Sequence, residues 1–171
     1  MIDLSPIATA HQWISEMFKK DPERGLNTAT SHARVDNKLT CHIEEGPWKL
    51  VADMSPKAGG GGEGPTPGVL GRAALGSCVA IVYVMQAARL GVPVESVEVE
   101  VQADFDDAAL FGVSDSVAGY INVRYTISVV SDAPEEDLQR VKDFTDARSP
   151  YVDVFARGQT PESSLKVVRP D

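Results

Sequence analysis

Between Thr66 and Leu90 the chain reads TPGVLGRAALGSCVAIVYVMQAARL, a stretch whose apolar side chains fall on nearly every side of a helix. The residues ahead of it, Gly60 to Pro67, are a run of glycine and proline without regular structure of its own, and Pro67 supplies the fixed φ that suits a first helical turn. Ala73, Ala74, Leu75, Val79, Ala80, Ile81, Val82, Val84 and Met85 leave no polar face wide enough for water, so this helix must be buried. Arg72, Gly76 and Ser77 interrupt it, and Gln86, Arg89 and Gly91 end it in polar company, which marks a core helix and not a membrane span. Cys78 stands at its middle. That thiol is either packing material, as buried free cysteine often is, or the reason for the helix.

The 171 residues suit one domain with a real core. A net charge of -9 argues against nucleic acid as a partner, because phosphate binding needs clustered Lys and Arg. The N-terminal MIDLSPIATAHQW has no basic region followed by an apolar run, so no signal peptide or membrane anchor is expected and the cytoplasm is the expected location. Cys41 and Cys78 do not form a CxxC pair, and a structural disulfide is not expected in a reducing compartment. His11, His32 and His42 lack metal-ligand spacing. A zinc site from His32, Cys41 and His42 lacks an evident fourth ligand, so no metal is expected.

Taken in order, Pro6 to Lys20 reads as an amphipathic helix through Ile7, Ala10, Trp13, Ile14, Met17 and Phe18, and residues 1–26 form a helical extension ahead of a single domain over 27–171. Asn27–Val35, Leu39–Glu45 and Trp48–Met54 follow as an antiparallel meander. After the apolar helix, Val94–Phe105 and Tyr120–Val130 alternate as two paired strands, with Ala108–Ala118 an ambiguous turn region between them. Glu135, Glu136 and Asp137 open a helix along Leu138, Val141 and Phe144, a second helix begins at Ser149-Pro150, and Ser164–Arg169 reads as a last strand. The order α-βββ-α-ββ-αα-β is an α+β chain with too few partners for its apolar helix, so a second subunit is expected to cover it. Asp106-Asp107 and the Glu135–Asp137 cluster read as solvated charge, and Trp13 and Trp48 as packing anchors. A reactive Cys78 needs a cation nearby, and Arg34, Arg72, Arg148 and Arg157 are the candidates.

The glycine-rich loop, the Thr66-Pro67 dipeptide, the small-residue helix with Gly76-Ser77-Cys78-Val79-Ala80, and Ser149-Pro150 where many relatives carry Cys-Pro together resemble the OsmC/Ohr family of osmotically induced and organic-hydroperoxide-resistance proteins. The resemblance runs from Thr28 to Val168. It implies an α+β intertwined homodimer in which six-stranded antiparallel sheets wrap a pair of central apolar helices. It also implies, for the members that are peroxidases, a thiolate on the central helix, a resolving cysteine before a proline, and an Arg and a Glu that shape the site. Carried onto this chain, the peroxidatic cysteine falls on Cys78 and the arginine on Arg34, whose other reading is a solvated hairpin residue. The resolving cysteine falls on Ser149, which forms no disulfide, and Cys41 has no proline after it to mark it as a substitute. The glutamate falls on Gly68, leaving Glu63 in a flexible loop as the nearest carboxylate. No cofactor is implied. The resemblance leaves a choice between a one-cysteine hydroperoxide reductase recycled by an external thiol, a lapsed member binding a small apolar or thiol ligand in the dimer cleft, and a covalent carrier of a thiol adduct such as glutathione.

Overall fold

Prolines set three of the helix starts in this chain, and a computed structural model describing residues 1–169 shows them. Pro6, Pro67 and Pro150 stand in the first turns of α1 (Ser5–Lys20), α2 (Pro67–Leu90) and α5 (Pro150–Ala156), where a missing N–H costs nothing. Between α1 and α2 lie β1 (His32–Asn37), β2 (Thr40–Glu45) and β3 (Trp48–Ala52), an antiparallel meander with tight turns at Lys38 (φ 49°) and Gly46 (φ 53°). After α2 come β4 (Ser96–Phe105), the short α3 (Asp107–Leu110), β5 (Tyr120–Val130) and α4 (Glu135–Asp146), whose first turn holds Glu135, Glu136 and Asp137 at the positive end of the helix dipole.

β4 and β5 pair antiparallel from Ser96↔Val130 to Asp104↔Asn122. Val97, Val99, Val101 and Ala103 turn inward while Glu98, Glu100 and Gln102 face water, as the alternation in the sequence requires. The inward series on β5 runs through Val123, Tyr125, Ile127 and Val129 but not Ile121, which is 50 % exposed. The register shifts between Asp104 and Phe105, so that Phe105 pairs with Tyr120 and Ile121 is skipped. That bulge turns Tyr120 inward.

The core gathers where α2 crosses this hairpin and α4. Tyr83, Ala87, Val92, Val94 and Val141 are buried together, with Ile2, Val97, Ile127, Val129 and Leu138 packed around them. The Tyr83 hydroxyl donates to the Leu138 carbonyl at 3.1 Å, and burial pushes the phenol's pKa up. α2 packs on β4, α4, α1 and α5. It is long and apolar enough to cross a bilayer, and Leu75, Val79, Tyr83, Gln86, Ala87 and Ala88 are buried in the fold. Its other side is open: Ile81 is 60 % exposed, and Val69 and Met85 are exposed too.

Three expectations change. The strand over Ser164–Arg169 is absent: residues 158–169 make no backbone hydrogen bond to another element, and a strand needs a neighbour's ladder to exist. Among the described residues of one chain the strands form one sheet of three and one of two. The first strand begins at His32 and not at Asn27, because β2 ends at Glu45 and His32, opposite Glu44, is the last residue with a partner. Trp13 (66 % exposed) and Trp48 (71 % exposed) are not buried packing anchors within the chain.

Candidate functional site

Cys78 lies halfway along α2, partly buried, on the side that meets α5. Its Sγ is 3.3 Å from the Oγ of Ser149, a contact that joins positions 71 residues apart. Ser149 is the N-cap residue of α5 and only 2 % exposed. Its backbone is fixed from both sides, its N–H donating to the Thr145 carbonyl at 2.8 Å and its own carbonyl accepting from Asp153 N at 3.1 Å. An N-cap serine ordinarily turns its oxygen to the amides of its own helix. Here the hydroxyl makes no such bond and meets the sulfur instead.

At the start of α2 the Tyr120 hydroxyl donates to the Gly68 carbonyl at 2.7 Å and accepts from Arg72 Nη1 at 3.4 Å. The Arg72 guanidinium lies 5.8 Å from the centre of the Phe105 ring, and Phe155 stacks on Tyr120 at 6.0 Å. Position 68 therefore offers no carboxylate, and the space beside it belongs to a tyrosine and an arginine.

The other arginines are engaged elsewhere. Arg34, on β1, is exposed and pairs with Asp36 at 2.8 Å, so within one chain it does not join Cys78. Arg157 pairs with Asp153, and Arg148 lies over the Phe144 ring, as does Arg89. Among the described residues no guanidinium is within hydrogen-bond reach of Cys78 Sγ.

Asp53, just after β3, was invisible to motif reading. Its buried carboxylate accepts from the Thr40 hydroxyl at 2.9 Å and from the amides of Met54, Gly61 and Glu63 at 2.7, 3.0 and 3.1 Å. Burial pushes its pKa up, and the hydrogen bonds from Glu63, Thr40, Met54 and Gly61 outweigh that and hold it below the usual carboxylate range. The glycine-rich loop is thus tied to Asp53 at Gly61 and Glu63, and it presents the Glu63 side chain to solvent. A lone aspartate between a strand and a glycine run was the available signal. Asp106, read as solvated charge, caps α3 through Ala108 N at 2.9 Å and holds the Ser114 hydroxyl at 2.6 Å, which lowers its pKa.

Cys41 and His42 are neighbours on β2, so their side chains point to opposite faces, and His32 lies across from Glu44. Among the described residues no three His, Cys, Asp or Glu side chains are grouped to hold a metal ion. Two clefts open on the surface, between α4 and β5 and beside the N-terminus, and neither is lined by Cys78 or Ser149.

The sequence and the fold have counterparts among known proteins. The family model for OsmC-like protein matches residues 60–164, which include α2, Cys78 and Ser149. No curated protein matches the chain. Among solved structures, the fold is similar to that of an OsmC-like protein from Mycoplasma pneumoniae, with TM-score 0.66 and 14 % identity over 76 % of this chain and 88 % of that one. An organic hydroperoxide resistance protein OsmC from Legionella pneumophila has TM-score 0.54 and 14 % identity, covering 76 % of this chain and 90 % of its own. An OsmC-like hydroperoxide resistance protein from a Jannaschia species has TM-score 0.51 and 22 % identity, covering 80 % and 90 %. With the family model spanning more than half of the sequence and the same fold in these structures, the chain belongs to the OsmC-like family.

Proposed function

We propose that the protein reduces organic hydroperoxides through one thiolate, Cys78, and is returned to its starting state by an external thiol. The observation that carries this reading is the partly buried Cys78 on the central helix, with its sulfur 3.3 Å from the hydroxyl at position 149. The names of the Legionella and Jannaschia proteins support the substrate class. In the first step the thiolate attacks a peroxide oxygen, the O–O bond breaks, and the alkoxide leaves and is protonated to the alcohol, while Cys78 becomes a sulfenic acid. A small thiol then condenses with the sulfenic acid to give a mixed disulfide and water, and a second thiol displaces Cys78 as its thiolate, leaving with a disulfide. Ser149 takes no part in disulfide exchange.

The working unit in this reading is a homodimer in the cytoplasm. The open side of α2, with Ile81, Val69 and Met85 exposed, is the face a second copy covers, and all six residues of β1 are exposed in one chain. Arg34 then serves a Cys78 across the subunit boundary, where it exchanges Asp36 for the reacting oxygens. The absence of a carboxylate at Gly68, whose surroundings are taken by Arg72 and Tyr120, favours a second reading: a lapsed member that holds a small apolar or thiol ligand.

Mass spectrometry after titration with one equivalent of an organic hydroperoxide decides between them. The parent is expected to carry a sulfenic acid on Cys78 that passes to sulfinic acid with excess oxidant, whereas Ser149→Cys gives an intramolecular disulfide. A Cys78 that stays a free thiol under excess hydroperoxide, in folded protein, rejects the reductase and leaves the binding protein.

A further inference from the structure

We infer that Ser149 is a positioning residue whose hydroxyl holds the Cys78 sulfur in place by a hydrogen bond, so that the residue standing where relatives place a second thiol acts by hydrogen bonding and not by redox exchange. The inference rests on Cys78 being the working thiol of the proposed reaction. Two independent features point to it. The first is the contact itself, 3.3 Å between Oγ and Sγ, made by a side chain that is 2 % exposed and has no other hydrogen-bond partner among the described residues. The second is what that hydroxyl does not do. Ser149 occupies the N-cap of α5, ahead of Pro150, the position where a serine oxygen usually serves the helix amides, and it makes no cap bond.

Protonation decides the strength of the bond. With Cys78 as a thiol, either group can donate, and the bond is a weak neutral one. Once the proton has left, the sulfur only accepts, the Ser149 hydrogen is the one available to it, and the bond becomes charge-assisted. The backbone bonds from Ser149 N to Thr145 O and from Asp153 N to Ser149 O hold the main chain of Ser149 in place without help from the sulfur.

The test uses alkylation of the full-length protein by iodoacetamide, followed over a range of pH, which reads the thiolate without requiring peroxide chemistry. Ser149→Ala is expected to alkylate at Cys78 about tenfold more slowly at neutral pH. Because a cavity or a shifted helix could also alter access, Ser149→Thr and Ser149→Val are compared at equal volume. Thr should follow the parent profile and Val the Ala profile. If Thr and Val alkylate alike at every pH, the hydroxyl does nothing for the sulfur and the inference falls, whether or not the Ala variant folds. If the profiles separate as expected but hydroperoxide leaves the parent thiol untouched, the hydrogen bond stands and the reductase reading fails.

Discussion

Asp53 shows what a single carboxylate does when a loop is built around it. Its depressed pKa means that folding favours the ionised form, so its contribution is present above the unfolded-state value of about 3.9 and is lost as pH falls through the lower folded value. Asp53→Asn keeps the size but leaves an NH2 facing the amides that the carboxylate had bonded. We expect a lower urea midpoint for this variant at pH 7 and a gap to the parent that narrows as pH drops below about 4. A gap equally wide at pH 7 and pH 3 would show that charge is not what holds the loop. Such a residue could not be found by periodicity, because it belongs to no strand or helix and its partners, Thr40, Gly61 and Glu63, lie on both sides of it in sequence.

At the scale of elements, sequence patterning was informative wherever a segment solves its burial problem within the chain. β4 and β5 each have a wet face and a packed face, so alternation located them, and only the bulge at Asp104/Phe105 escaped, since nothing in residue type announces a skipped partner. Proline starts and the glycine end gave α2 its bounds; Gly91 takes φ 69° just past the last turn. Ser164–Arg169 failed for the converse reason. Its alternation is real, but no neighbour lies beside it. Of the site, Cys78 and its closeness to Ser149 were legible through resemblance, while the aromatic enclosure of Arg72 depends on Phe105, Tyr120 and Phe155 arriving from three elements. The loop between β3 and α2 supplies a sharper test. A Cβ on Gly60 would lie 1.9 Å from the Met54 carbonyl oxygen, and one on Gly64 would lie 2.5 Å from that of Val51, whereas Gly119 has nothing within 4 Å. Gly60→Ala and Gly64→Ala should each destabilise by roughly 1–3 kcal/mol, and Gly119→Ala should be near neutral. Equal denaturation midpoints for all three would refute the packing described here.

For the whole molecule, the distribution of burial is uneven. The α4 end of α2 is enclosed by β4, α4 and α1, while Val69, Ile81 and Met85 face outward. Ile81→Asp places a charge on that open side without touching Tyr83, Ala87 or Val141. If a second copy covers it, the substitution should convert a dimer to a monomer in sedimentation velocity at micromolar concentration, with secondary structure kept. A parent that already sediments as a folded monomer removes the case for a shared site. The tied loop carries a different consequence, for mutational drift. Every nucleotide change that alters the amino acid at a glycine codon adds at least a side-chain carbon, so at Gly60 and Gly64 the first missense step already meets a backbone oxygen. In a library of random single substitutions those two codons should read as empty columns beside the tolerant one at Gly119, and the approach to the central helix should be among the slowest stretches of this protein to diverge.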